Sequence, residues 1–265
     1  MRAIDFYYDG LRLSDFGFII CKFDSDDVET IENGSQITFN AVPTLNGMKH
    51  ELTSSSYEDC LTTTFQICKN VCDSNQTEEI SLDDLRKIMS WLNRKGFHEF
   101  RLLDDEHSGI YFEASFNVSR IEMNGCVYGF ELEIFTNRPF ALRDPIMTKF
   151  ICATENTVKT IFNESDEEGF IYPDMEITIG ADGDFEIKNS FNDNVMKIAN
   201  CKAGEVITVK YPIIESSLAN HKIQNDFNWR FFRIESTFNK KKNEITVTLP
   251  CTIIMSYSPI VKIGI

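Results

Sequence analysis

Histidine is the side chain best suited to acid–base or metal chemistry near neutral pH, and this chain has four: His50, His98, His107 and His221. Their spacing speaks against such use. None occupies His-x-x-x-His or His-Glu-x-x-His, the arrangements that set two imidazoles on one helix face around zinc. Each reads as a surface or edge residue. No Gly-x-Ser-x-Gly elbow, Walker A loop or Gly-x-Gly-x-x-Gly fingerprint is present, so neither an activated serine nor a phosphate cradle is encoded in those forms. The acidic pairs Asp104-Asp105 and Glu167-Glu168 are adjacent in turn segments, where carboxylates are solvated and do not face each other across a scissile bond. Asp182, Asp184 and Glu186 alternate, so they could share one strand face and offer oxygens to calcium, but the ligand set of an EF-hand is missing. Trp229 with Phe231 or Phe232 could make a flat platform for a sugar; core packing is the simpler reading. With no converging pair of titratable groups, the expectation is a protein that is not an enzyme and uses no metal or cofactor.

Eight cysteines follow the same logic: Cys21, Cys60, Cys68, Cys72, Cys126, Cys152, Cys201 and Cys251 form no Cys-x-x-Cys pair. Most lie in or beside apolar segments and read as small buried hydrophobes in a reducing cytosol. Cys68 and Cys72 could share a helix face, but no histidine is close enough in sequence to suggest zinc. The sequons at Asn33, Asn75, Asn117 and Asn163 have no meaning without a secretory route, and the N-terminus does not read as a Sec-type leader.

The elements that must position these side chains are mostly strands. The chain has 265 residues, 42% hydrophobic and 12% aromatic, with 22 Phe, enough for one large β domain or two ordinary ones. No apolar run approaches the ~20 residues that span a bilayer. The formal charge is −15, which argues against nucleic acid as a stable partner, because phosphate contacts need clustered Lys and Arg. Residues 1–140 carry −12 of that charge and residues 141–265 carry −3.

The opening segment Ile4 to Asp24 is a hairpin signal. Ile4, Phe6 and Tyr8 alternate, Asp9-Gly10 supplies a two-residue type I′ turn, and Leu11 and Leu13 resume the alternation. After a break at residues 14–17, the run 18–21 reads as a strand buried on both faces. An acidic loop is expected over 24–33, strands over 35–42 and 45–52, a polar protruding excursion over 47–59 and a strand over 61–72. One helix stands out. Ser81 and Asp84 occupy the N-cap and N3 positions, and Ile80 and Leu85 the hydrophobic staple. Leu82, Leu85, Met89 and Leu92, with Ile88, form its stripe, and Gly96 marks its stop. Strands over 97–103, 110–122 with a bulge near Arg120, and a return after Asn124-Gly125 complete the first part. Further strands are expected over 157–163, 174–180, 184–189, 195–199, 206–210, 229–235, 244–249, 251–256 and 260–263, with Lys240–Lys242 at a hairpin tip. Short strands at this spacing indicate a sandwich.

In order and spacing, several segments resemble the distal tail protein (Dit) family of phages with long non-contractile tails. They are FYYDGLRLSDFGFIIC, SLDDLRKIMSWLNRKG, TNRPFAL (Thr136 to Leu142), GFIYPDMEITIGADGDFEIKN (Gly169 to Asn189), NKKKNEITVTLP and the ending MSYSPIVKIGI. The stretch from Ser216 to Asn228 departs from the pattern in being longer and more polar. The resemblance implies a mainly β fold: a tail-tube-like β-sandwich with one α-helix over 1–140, a linker over 141–150, and a galectin-like or carbohydrate-module-like β-sandwich over 151–265. The last strands, about 251–265, would pack back on the first domain. It also implies a ring, a hexamer, at the virion tail tip, assembled in the bacterial cytoplasm. The ring would join the tail tube protein to the tail-associated fibre or lysin protein and to a receptor-binding protein or host saccharide.

Open sheet edges suit ring assembly, which makes Ile4, Phe6, Tyr8, Ile37, Phe39, Lys49, Glu51 and Tyr57 the expected intersubunit contacts. Carboxylates of the −12 part would line the channel and repel passing DNA. The competing class is a carbohydrate-binding module that recognises host cell-wall glycans through exposed aromatics of the second sandwich.

Overall fold

The computed structural model describes residues 3–23, 34–71 and 79–265. The expected acidic loop, Cys72 and the sequons Asn33 and Asn75 lie outside these residues. Two compact units emerge: residues 1–142 with 262–265, and residues 143–261.

In the first unit the strands are β1 (Phe6–Tyr8), β2 (Leu11–Arg12), β3 (Phe18–Cys21), β4 (Ile37–Thr44), β5 (Lys49–Tyr57) and β6 (Thr62–Lys69). Helix α1 (Leu82–Leu92) follows, then β7 (His98–Leu102), β8 (Ile110–Met123), β9 (Cys126–Thr136) and β10 (Ala141–Arg143). The main sheet runs β2-β1-β7-β8-β9-β6-β3, antiparallel throughout. Asp9 and Gly10 both have positive φ, 51° and 78°, as the expected I′ turn requires, and Asn124 and Gly125 in the second expected hairpin turn do too. The register slips between Ile121 and Glu122, one residue from the expected bulge. Strand β3 departs from expectation. It is an outer strand of the sheet, with Phe18 buried and Ile19, Ile20 and Cys21 only half-buried.

Helix α1 covers one sheet face. The Ser81 Oγ accepts from the Asp84 amide at 3.2 Å and lies 2.8 Å from the Asp84 carboxylate, satisfying a free donor of the first turn. Its buried stripe is Leu85, Ile88, Trp91 and Leu92. Leu82 is exposed, so the stripe is displaced from the expected one, and the helix ends at Leu92, before Gly96. Trp91 anchors the packing: its indole stacks on Phe6 and Phe16 and its Nε1 donates to the Tyr8 carbonyl at 3.0 Å. Phe6, Tyr8, Phe100 and Phe116 complete this aromatic core. Behind the helix, buried Lys69 reaches the Asp84 carboxylate at 2.9 Å. Burial pushes the Asp84 carboxyl up, and the hydrogen bonds from Lys69 and Ser81 more than offset it, holding the group below the ordinary carboxylate range.

In the second unit the strands are β11 (Ile146–Cys152), β12 (Thr157–Phe162), β13 (Gly169–Ile171), β14 (Asp174–Ile179), β15 (Gly183–Asn189), β16 (Asn194–Cys201), β17 (Val206–Lys210) and β18 (Ile213–Ser216). Short helix α2 (Ile223–Asp226) precedes β19 (Ile234–Ser236), β20 (Lys242–Val247), β21 (Cys251–Tyr257) and β22 (Ile260–Val261). A five-stranded sheet, β11-β21-β14-β17-β18, and a four-stranded sheet, β12-β20-β15-β16, share one core. Ile177, Ile207, Ile253 and Met255 from the first meet Phe185, Ile187, Met196 and Ile198 from the second. The fold is mainly β. Expectation and structure differ here. Strand β11 begins inside the stretch read as a linker, β13 and β18 were not foreseen, and the strand expected over 229–235 is reduced to β19. Residues Lys262–Ile265 group with the first unit, and β21 belongs to the second.

Candidate assembly surface

Strands β4 and β5 form a two-stranded sheet of their own, paired from Ile37↔Tyr57 to Thr44↔Lys49. The tip, Leu45-Asn46-Gly47, has positive φ at all three residues, which only the glycine adopts without cost. The register slips between Asn40 and Ala41, leaving Thr53 as the extra residue of the longer strand. Cross-strand partners share a face, so this register divides the ribbon in two. One face carries Ile37, Phe39, Ala41 and Pro43 with Tyr57, Leu52, Ser55 and His50, and is the more apolar; the other carries Thr38, Asn40, Val42 and Thr44 with Ser56, Ser54, Glu51 and Lys49. The apolar face is open, with Phe39 65% exposed. The polar face holds itself together: Lys49 pairs with Glu51 at 3.0 Å and the Asn40 amide donates to Ser54 at 3.1 Å.

The root of the ribbon is fixed to the first unit. Tyr57 meets Phe140 edge to face at 4.9 Å, and the Ser35 amide donates to the Pro139 carbonyl at 3.3 Å. Gly34 has φ +115°, and a Cβ there would lie 2.4 Å from the Phe140 ring. No other residue type fits that crossing.

The eight expected contact residues therefore separate into groups. Phe6 and Tyr8 are core residues with no exposed side-chain surface, and β1 is paired on both sides, by β2 and β7. Buried in this way they have no surface to offer a neighbour: the alternation that marked an edge marked an interior strand. Ile4 is exposed beside the start of β1. Ile37, Phe39 and Tyr57 share the apolar ribbon face, while Lys49 and Glu51 lie on the opposite one.

The residues considered for chemistry are occupied elsewhere. Lys197 reaches Asp184 at 3.2 Å and Glu186 at 2.9 Å, and Lys202 reaches Asp182 at 3.0 Å, so each carboxylate of the possible calcium face has an ammonium partner. Among the described residues, no three His, Cys, Asp or Glu side chains are placed to hold a metal ion. Two histidines are not surface residues. His107 is buried, its Nδ1 2.7 Å from Asp104 and its Nε2 3.1 Å from the Gly264 carbonyl. His221 lies with Nδ1 2.6 Å from the fully buried Glu205, and with Nε2 3.2 Å from Asp226 but off the hydrogen-bond direction. Burial pushes the Glu205 carboxyl up; hydrogen bonds from Ser216, His221 and the Lys202 amide outweigh it and leave the group lowered. This cluster ties the polar stretch before Trp229 to the sandwich. Cys152, Cys201 and Cys251 are buried free thiols, and burial pushes Cys251 up to about 12. Cys60 is exposed. Trp229 is exposed, against the expectation of core packing, while Phe231 and Phe232 are buried.

The phage tail protein N-terminal domain family matches residues 1–138, and the phage tail C-terminal domain family matches residues 140–257. Among curated proteins none matches this sequence. The crystal structure of SPP1 Dit (gp 19.1), described as a paradigm of the hub adsorption apparatus in phages that infect Gram-positive bacteria, superposes with a TM-score of 0.66. That alignment covers 97% of this chain and 99% of that one at 11% sequence identity, a likeness of fold. No helix among the described residues is long and apolar enough to cross a membrane. With more than half of its length matched by the first of these two families, and the remainder by its companion, the chain belongs to a family of phage tail proteins.

Proposed function

We propose that this chain is the structural hub of a phage tail tip, a closed ring of six copies built by the first unit. The ring joins the tail tube protein on one side to the tail-associated fibre or lysin protein on the other, and carries the host-adsorption parts. It assembles in the bacterial cytoplasm and ends in the virion. The observation that carries this reading is the open apolar face of the β4–β5 ribbon. A lone two-stranded ribbon is marginal in water, and Ile37, Phe39 and Leu52 gain burial only against another surface. In a ring, that surface is the neighbouring copy, with Ile4 and the Lys49–Glu51 pair at the rim.

The acidic first part supports a channel role. With −12 of the net charge in residues 1–140, a ring built from this part repels the DNA that passes through it and avoids contacts that slow ejection. Light scattering together with negative-stain imaging of the purified chain tests the assembly. A closed ring of six is expected, and a monomer at all concentrations overturns the proposal. Mapping the electrostatic potential on the assembled ring tests the channel reading alone, and a basic or neutral lumen overturns it.

A further inference from the structure

Six aromatic rings of the second unit form an unbroken row: Phe170, Tyr172, Tyr211, Phe231, Phe227 and Trp229. Successive centroids are 5.3, 4.1, 5.2, 5.0 and 5.5 Å apart. Phe227 and Phe231 are buried and Tyr172 is half-buried. The other three are open: Phe170 is 49% exposed, Tyr211 56% and Trp229 60%. Each open ring is held from behind. Tyr211 lies flat on Tyr172 with 3° between planes, so its uncovered face is the outer one. Phe170 is braced by Tyr172 and by the Arg233 guanidinium, 4.6 Å from its centroid, and Trp229 by Phe227.

Trp229 turns the row into a site. Its φ is +57°, a region costly for a bulky side chain, and no burial of the indole compensates. Asn228 imposes the conformation. Its Oδ1 accepts from the Lys197 and Arg230 amides at 3.2 and 3.1 Å, and its Nδ2 donates to the Val195 carbonyl at 3.0 Å. The Asn228 amide itself donates to the Lys197 carbonyl at 3.1 Å. Three of these hydrogen bonds clamp the turn to β16 and the fourth closes the turn on itself, and the visible result is an indole held in water.

We propose that this row is a saccharide-binding site. Flat, rigid, separated rings fit the C–H faces of successive sugar units, and a few polar groups beside them fit the hydroxyl rims. Arg233, whose guanidinium lies over the Phe170 ring, supplies such a donor. A nucleic acid also stacks on aromatics, but residues 141–265, which hold the row, carry −3, the wrong sign for a polyanion. A protein partner favours one contiguous apolar centre, and here the open rings are spaced apart by buried ones. The inference does not depend on ring assembly and survives its failure.

The test uses the full chain, labelled, on a glycan array of neutral and anionic oligosaccharides, followed by titration of the best binder. Trp229 and Trp91 are the only two tryptophans, and Trp91 is buried, so a saturable fluorescence change reports the exposed indole. Trp229→Ala and Tyr211→Ala are each expected to weaken binding at least about tenfold with the unfolding midpoint unchanged, since both side chains are open. Trp91→Phe is expected to keep both the binding and the signal. Silence across the array overturns the proposal, as does binding that both alanine variants retain. Loss of a contact between copies in those variants, seen as a smaller particle by light scattering, without any glycan binding, reassigns the row to assembly and also overturns it.

Discussion

The β4–β5 ribbon and the sheet under α1 are built from the same kind of sequence, alternating apolar and polar residues, yet they end in opposite surroundings. Phe6 and Tyr8 lose all contact with water because the chain supplies its own cover, the α1 stripe of Leu85, Ile88, Trp91 and Leu92. Among the described residues Ile37 and Phe39 find no such cover and stay exposed, although their strand is also paired. Alternation states that a strand has two unlike faces; it does not state which molecule closes the apolar one. In the first region the apolar face is closed within the unit, and in the second it stays exposed.

Substitutions can break that contrast, and the largest effect is expected in the covered region. Trp91→Ala removes two stacking contacts and the hydrogen bond to Tyr8, so a loss of about 4 kcal/mol in denaturant unfolding is expected. Lys69→Met leaves the Asp84 carboxylate without its ammonium partner and is expected to cost about 2 kcal/mol by the same measurement. Acid sharpens the picture. Asp84 and Glu205 are both lowered in the folded chain, so their contribution is complete above the ordinary carboxylate range and drains away as pH falls through the folded values. The stability of Glu205→Gln should therefore depend less steeply on pH on the acid side than that of the parent chain, measured as unfolding midpoint against pH.

On the open ribbon the expectation reverses. Phe39→Ser should change unfolding of the isolated chain by no more than about 0.5 kcal/mol while lowering particle mass in light scattering. Lys49→Glu breaks only an exposed pair on the polar face and should weaken assembly less than Phe39→Ser. Equal effects of these two variants on particle size would erase the distinction between the faces.

Much of this organisation was legible in the residues. Asp9-Gly10 and Asn124-Gly125 announced their turns because φ is positive at both central positions, and Ser81 with Asp84 announced the helix start because capping is local chemistry. The slip near Arg120 was equally local. What escaped depends on distant partners. Strand β11 was hidden because its apolar residues fall on both faces, with Met147 and Ile151 exposed beside buried Phe150. His107 is buried by a carbonyl at Gly264, and the alternation at Phe6 and Tyr8 could not reveal that β7 closes the strand's other side. Of the candidate contacts, Ile37, Phe39 and Tyr57 were grouped by register alone, which no local pattern displays.

The register slip between Asn40 and Ala41 has a further consequence. A straight ribbon with two bare margins is a template on which identical ribbons can add without end, as in a fibre. The extra Thr53 interrupts the spacing of amide and carbonyl groups and coils the strand, so a third strand cannot lie along its full length. Growth by backbone pairing is interrupted at the β5 margin, where the extra residue lies.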